Sequence, residues 1–479
     1  MKSIPLSISE EMHLLAQELQ RHFSPSQLEL LARQTGFVQR KSKCTSQDFA
    51  FLCIFLNDHI ATTPLTRLCS QLDATNHLSM SAEGLNQRFN PSAVAFLQSL
   101  FSTLLQEKIL ASFSLPCECT AYFHRIRILD STVFQLPDPY ADRYHGSGGS
   151  SHTAGMKIQL EYELKTGEFL QVDVGPGKNN DGLYGTKRAK TVEKGDLCIR
   201  DLGYFCLNDF EEMERRGAFY VSRLKLNVRV YEKNEEIEQF KDGKVKKQSL
   251  YKELDLEEIM NRLQPGEIVE LPEVYLGRYN KFRTQLLIYK LTAEQTQKRL
   301  MMRAKQEKKK NITYKERIKR LSAINIYMTN TPDVYLKKEH IHDLYSLRWQ
   351  IEILFKTWKS IFHIDQCKLI KIERFECHVY GQLIAILLSS SLMFQMRRLL
   401  LMKKKKEASE FKVICIVKEY FLSLHNAIKK QVQDVGRVLL QLFRMIEKNG
   451  CKSHRYEKKT VFDILGVVYE YTQKSQPAA

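Results

Sequence analysis

Apolar positions recur at helical spacing through the first hundred residues. FSPSQLELLARQTG (23–36) has Ser24 at an N-cap position, Pro25 in the first turn and Gly36 as its stop. TPLTRLCSQLDATNHLSMSAEGLNQRFNPS (63–92) predicts a short amphipathic helix, a connection, and a second short helix opening at Ser81. The pair has the form of a helix-turn-helix whose second helix would expose Glu83, Asn86, Gln87 and Arg88, and a plain helical bundle suits the same residues equally well.

From about residue 121 the period shortens to two. AYFHRIRILDSTVFQLP begins a β run containing Asp130, and MKIQLEYEL-KTG-EFLQVDVG (156–175) reads as a hairpin. A helix is expected over 181–193, then GDLCIRDLGYF as a short buried strand ending at Asp201, a helix at 208–217, and AFYVSRLK as a fifth strand. Three strands, helix, strand, helix, strand is the order of a mixed α/β sheet. Residues 226–322 break that rhythm with antiparallel β segments, a turn at Asp242–Gly243 and a basic helix over 293–320. VYGQLIAILLSSSLMFQM (379–396) is uncharged and long enough to span a membrane, but two Gln and three Ser dilute it. A helix buried in a protein core is expected instead. The resulting division is 1–120 helical, 121–225 first part of an α/β core, 226–322 β-rich insertion, 323–400 second part of the core, and 401–479 helical tail.

Charge narrows the partner. Lys plus Arg number 73 against 55 Asp plus Glu, a formal +18, which favours a polyanion. Single basic runs such as KQEKKK (305–310), KERIKR (315–320) and KKKK (403–406) are usually solvated faces; their sum points to phosphate, since each contacted phosphate releases counterions. Cysteine adds little. The only close pair is Cys117 and Cys119, without the spacing of a zinc site. MKSIPLSISEEMHLLAQ lacks a long apolar leader segment, so reduced thiols in a cytoplasmic protein are expected.

Chemistry concentrates around YSLRWQIEILFKTWK (345–359). On a helical wheel Leu344, Leu347, Ile351, Leu354, Phe355 and Trp358 share an arc of roughly 100°, the core face. Tyr345, Arg348, Glu352 and Lys359 share a neighbouring arc of roughly 60°. Alone, such a stripe is most simply a wet one with an i,i+4 ion pair. Asp130 changes the reading, because it sits mid-strand among apolar residues, where a lone carboxylate is costly. Asp201 reaches the sheet rim at a strand end, and Glu352 lies on a helix able to pack beside both. Carboxylates converging on a sheet edge suit two Mg²⁺ ions, hard cations that prefer oxygen.

The spacing Tyr345-(2)-Arg348-(3)-Glu352-(6)-Lys359 resembles the YREK signature of the DDE transposases of bacterial insertion sequences. Asp130 in ILDST and Asp201 in RDLGY resemble that family's two aspartates. The strand order resembles its ribonuclease H-like core, and 226–322 the insertion of its cut-and-paste members. The resemblance covers about residues 10–400 and implies metal ligands Asp130, Asp201 and Glu352. It also implies phosphate contacts by Tyr345, Arg348 and Lys359, with Gln87 and Arg88 touching DNA from the N-terminal helices. By the same resemblance the chain would bind terminal inverted repeats and, using two Mg²⁺ (Mn²⁺ as substitute), cleave strands and transfer them to target DNA. A homodimer on double-stranded DNA is expected, with 401–479 a candidate interface; no membrane is involved, and the setting is the cytoplasm near the nucleoid. The alternative is a non-catalytic DNA-binding regulator derived from a transposase.

One departure stands out. Some relatives form a DNA hairpin and hold a flipped base on a tryptophan in the insertion, whereas both tryptophans here, Trp349 and Trp358, lie in the YREK segment. Tyr275, Tyr279 and Phe282 are the aromatic alternatives, with ordinary sheet packing the simpler role. Asp138, Asp142 and His145 fit a Pro-rich loop, and His340 and His342 fit a surface near the helix start. No P-loop or G-x-S-x-G motif is present.

Overall fold

Side-chain caps set the first helices in the computed structural model, which describes residues 7–107 (without 41, 57 and 58), 122–148, 153–452 (without 243 and 405) and 464–465. Cys117, Cys119, Gly243, Lys405 and most of the segment after 452 lie outside these residues. Ser7 and Glu10 close a capping box on α1 (Ile8–Phe23), and Ser24 accepts from the Gln27 N–H at the head of α2 (Pro25–Gln34). Then follow α3 (Ser46–Ile54), α4 (Leu65–Asn76), α5 (Ala82–Arg88) and α6 (Pro91–Gln106).

The expected alternation is present: β1 (Ile126–Gln135), β2 (Gly155–Glu163), β3 (Phe169–Pro176), α7 (Asp181–Ala189), β4 (Leu197–Arg200), α8 (Leu207–Arg215) and β5 (Phe219–Arg223). Next come β6 (Val230–Lys233), β7 (Tyr251–Glu253), α9 (Leu256–Arg262), β8 (Ile268–Leu276), β9 (Phe282–Lys290), α10 (Ala293–Lys310), α11 (Glu316–Arg320) and β10 (Ile324–Thr329). The chain closes with α12 (Lys338–Ser346), α13 (Trp349–Ser360), α14 (Ile372–Lys404), α15 (Glu410–Glu419), α16 (Phe421–Ile428) and α17 (Val432–Asn449).

All ten strands form one sheet in the order β3-β2-β1-β4-β5-β10-β9-β8-β6-β7. β1, β4 and β5 run parallel, and the other pairings are antiparallel. The sequence pattern did not single out β10, a short run buried along its whole length. It pairs with β5 on one edge and β9 on the other, so 226–322 extends the core sheet rather than standing apart as a block.

One apolar core joins the N-terminal helices, a face of β1–β3, α12–α14 and the C-terminal helices. The uncharged segment lies within α14, where 89% of its most apolar window is buried in protein, as expected of a core helix. α17 packs on α1, Arg398 pairs with Glu11 at 2.8 Å, and Phe55 lies 5.7 Å from Phe421. The described C-terminal helices therefore pack on the N-terminal helices of the same chain through one side. The opposite sheet face carries a buried ionic lattice. Arg127 bridges Glu161 (2.8 Å) and Asp196 (2.9 Å), and Arg188 adds a second cation to Glu161 at 2.7 Å. Arg127, Arg188, Glu161 and Asp196 are joined by close ion pairs, while the buried Arg200 guanidinium, without a hydrogen bond, is held by charge 3.5 Å from Glu161.

Gly381 is where α14 meets α3. A Cβ there would sit 2.3 Å from the Cys53 carbonyl oxygen, a backbone atom that cannot swing aside. Gly381→Ala should lower the thermal unfolding midpoint through a loss of about 2–3 kcal/mol, the upper part of the overpacking range; calorimetry on the full chain checks this, and an unchanged midpoint would mean the two helices slide apart freely.

Candidate active site

Strand pairing brings the two aspartates together. Leu129 of β1 is in register with Arg200 of β4, so the next residues, Asp130 and Asp201, emerge side by side at the same sheet end. Alternation then sorts the neighbours: Arg200 turns to the ionic lattice, 3.5 Å from Glu161, while Asp201 turns to the other face. Asp201 also accepts from the Gly203 N–H at 3.4 Å, capping the 3-10 turn Leu202–Tyr204, so the structural role of a strand-end aspartate is present too. α13 packs against β1 and supplies Glu352.

Arg348 stands among all three. Its guanidinium lies 3.3 Å from Asp130, 3.6 Å from Asp201 and 2.8 Å from Glu352. At 3.6 Å the Asp201 contact is coulombic rather than a hydrogen bond. Arg348 is almost buried, at 8% exposure, and stacks at 5.0 Å over the exposed Trp349 ring. Burial opposes its charge, but Asp201, Tyr345, Glu352 and Asp130 together hold its pKa above the ordinary value. Burial pushes the Asp130 carboxyl up to about 6. The Ser131 N–H and Arg348 pull it down, and Asp201 and Glu352 push it further up. Behind Asp130 the Ser131 hydroxyl donates to Asp181, which also receives Lys157 at 3.1 Å and Gln159 at 2.8 Å. That supporting network was not foreseen; the Ser next to Asp130 was its only signal.

The YREK segment is not one continuous helix. The N–H groups of Leu347, Arg348 and Gln350 reach back three residues, to Leu344, Tyr345 and Leu347, which tightens the chain between α12 and α13. This turn rotates Tyr345 off the polar stripe. Tyr345 is buried at 7% exposure beside Tyr327 (5.2 Å), and its hydroxyl has no hydrogen-bond partner. The six residues of the core arc are all buried, as the wheel implies. Lys359 is half-buried and donates to the Val133 carbonyl on β1 at 3.1 Å. His340 and His342 are exposed, as expected; the His342 Nδ1 lies 2.7 Å from the Tyr327 hydroxyl, and partial burial of the ring lowers its pKa.

The remaining candidates lie elsewhere. On α5, Glu83 and Gln87 are exposed and hydrogen-bonded at 3.3 Å, whereas Asn86 and Arg88 are half-buried. Arg88 donates to the Cys44 carbonyl at 3.2 Å and to the Ser42 hydroxyl, so it braces the helical region from within. Tyr275 and Phe282 are buried in the sheet; Tyr279, at a hairpin tip, is 83% exposed. Asp138 accepts from Thr153 at 2.7 Å and belongs to a loop, as expected.

Residues 121–388 match the family model of the transposase DDE domain, the stretch that supplies all three carboxylates and Arg348. The chain belongs to the DDE transposases of bacterial insertion sequences. It is 54% identical to the transposase for insertion sequence element IS231E of Bacillus thuringiensis subsp. finitimus, over 98% of each chain. It is 53% identical to that for IS231B of B. thuringiensis subsp. berliner, over 97% of this chain and 98% of the relative. Identity to the transposase for IS1151 of Clostridium perfringens is 34%, over 96% of this chain and 98% of the relative. Membership accounts for the mixed sheet as a ribonuclease H-like core.

The donor chemistry of this transposase suits a hard divalent cation: three carboxylates against one guanidinium leave an excess of negative charge, and every donor is oxygen. Among the described residues no three His, Cys, Asp or Glu side chains are grouped closely enough to hold an ion as they stand, because the carboxylates converge on Arg348 rather than on one another. Two outcomes follow. Because the Asp130 pKa is raised in the fold, from 3.8 to about 6, its ionised form destabilises the native state, and that penalty grows as pH rises from about 4 to 6. Asp130→Asn should therefore be more stable than the parent by about 1–3 kcal/mol at pH 7 without divalent cations, with no advantage below pH about 4, as read from melting curves across pH. Tyr345→Phe, which removes a buried hydroxyl with no partner, should leave the melting temperature unchanged or raise it by the equivalent of up to about 1 kcal/mol.

Proposed function

We propose that this transposase binds the terminal inverted repeats of its insertion sequence, cleaves phosphodiester bonds at those ends and joins the freed 3′-OH to target DNA. The observation that carries this reading is the convergence of Asp130, Asp201 and Glu352 on Arg348, from two parallel strands and a helix distant in sequence. Asp130, Asp201 and Glu352 would hold two Mg²⁺, or Mn²⁺ in their place, which when bound activate a water and stabilise the leaving oxygen. The three carboxylates supply the oxygen ligands. Arg348 offsets part of their charge without cations, and its planar fork suits a phosphate equally well, so it turns from carboxylate to DNA backbone as the site fills. Lys359, on the same side of β1, adds a point charge for the strand, and the buried Tyr345 hydroxyl is free to donate to a phosphate oxygen entering beside Arg348. Gln87 on exposed α5 contacts DNA more directly than Arg88, whose donors are engaged. Two copies act together because two ends must be joined, and the work takes place in the cytoplasm, where the bacterial DNA lies.

Asp130→Ala, Asp201→Ala and Glu352→Ala should each reduce Mg²⁺-dependent nicking of DNA carrying the element's own ends by more than about a hundredfold, a loss that even outer-shell metal partners can cause. Gel-shift binding to the same DNA should persist. A variant that cleaves like the parent would remove that residue from the ligand set.

A further inference from the structure

α10 is an unusual surface helix. It is 18 residues long, about 27 Å at 1.5 Å per residue, and none of the residues over 293–309 is buried. A surface helix ordinarily docks through an apolar stripe. This one touches the rest of the chain through half-buried Thr296, Arg299, Arg303 and Glu307, spaced three and four apart along one side. Arg299 donates to the carbonyls of Ser322 (3.1 Å) and Ile324 (3.0 Å) and to Asn325 Oδ1 (2.8 Å), and Arg303 lies 5.1 Å over the Tyr314 ring. The helix is thus held by cations on carbonyls and a ring, and its other side is left to solvent.

That outer side carries Lys298, Lys305, Lys308 and Lys309, with Met301 and Met302 exposed between them. Glu294 pairs with Lys298 at 2.6 Å; among the described residues the other three lysines have no carboxylate within ion-pair distance. The inner side points to the catalytic rim. Asn325, which Arg299 holds, lies two residues before Tyr327 on the same face of β10. Tyr327 is paired in register with Arg223 and stacks beside Tyr345, next to Arg348. Burial, and then the like charges of Arg223 and Arg303, lower the Arg299 pKa to about 10. No ion pair to a carboxylate joins Arg223, Arg299 or Arg303 among the described residues, so positive charge runs unbalanced from the carboxylate cluster to α10.

We propose that α10 is a rail for the backbone of duplex DNA, with Lys298, Lys305, Lys308 and Lys309 contacting phosphates on its outer face and Arg223 continuing the track to the catalytic rim. The proposal rests on the DNA-cleaving reading above and gives it a second contact surface. Charge complementarity selects the occupant: another copy of a chain carrying +18 repels this face, and two methionines are too narrow a stripe for a helix lying on a membrane.

The test measures the affinity of the full-length chain for a labelled duplex of arbitrary sequence over a range of salt concentrations, because phosphate contacts do not depend on sequence. The variant Lys298→Gln/Lys305→Gln/Lys308→Gln/Lys309→Gln should weaken binding by about tenfold or more and lower the slope of log Kd against log salt by about 3.6, at about 0.9 per phosphate. The pair Lys305→Gln/Lys309→Gln should give about half that change in slope, and serves if the fourfold variant folds poorly. Affinity and slope equal to the parent's overturn the rail, as does loss of flotation with phosphatidylglycerol vesicles alongside unchanged duplex binding. A parent that cleaves its ends while the variants bind normally refutes the rail alone. A parent that binds duplex through α10 yet never cleaves refutes the catalytic reading alone.

Discussion

Three carboxylates held at one sheet edge repel one another, and Arg348 is the charge that lets the fold keep them there. Its guanidinium touches Asp130, Asp201 and Glu352 at 3.3, 3.6 and 2.8 Å. Without an opposite charge, three anions in a half-buried pocket would take up protons or push the elements apart. The pocket still strains against its charge, since burial and the neighbouring anions leave Asp130 with a pKa near 6 despite Arg348. On the proposed reading a divalent cation would relieve that residual strain, so the feature that weakens the free protein would be the one that draws the ion.

The rest of the fold aims these groups. Parallel pairing of β1 with β4 sets the aspartates side by side, and the ionic lattice around Arg127 and Glu161 locks those strands from the far face. α14, threaded through the core from the N-terminal helices to α17, makes a single body of the N-terminal helices, the C-terminal helices and the sheet. Such a body would carry DNA and the carboxylate cluster in a constant relation, as the proposed in-line attack on phosphorus requires.

β10 links the carboxylate cluster to the basic extension. It pairs with β5 beside the aspartates and with β9 beyond, and it receives α10 through Arg299. The extension is thereby tied to the rim by backbone hydrogen bonds, not by a flexible linker, and its cations stand at a set distance from Asp201.

Local patterns determined a great deal. The caps at Ser7, Ser24 and Ser81, the alternation through β1–β3, and the core arc of Ile351, Leu354 and Trp358 follow from short-range rules that tertiary contacts reinforced. Asp130, Asp201, Arg348 and Glu352 were legible because charge in an apolar run demands a partner. The turn that buries Tyr345 was not legible, because it sets the ring against Tyr327 on β10, a strand whose place in the sheet the local pattern does not give. Nor was the place of β10, since six residues buried on both faces do not say which strands will flank them. The inward side of α10 stayed hidden for the same reason: the sequence shows a basic helix, and only the carbonyls of Ser322 and Ile324, placed by the sheet, decide which arginines hold it down and which lysines face outward.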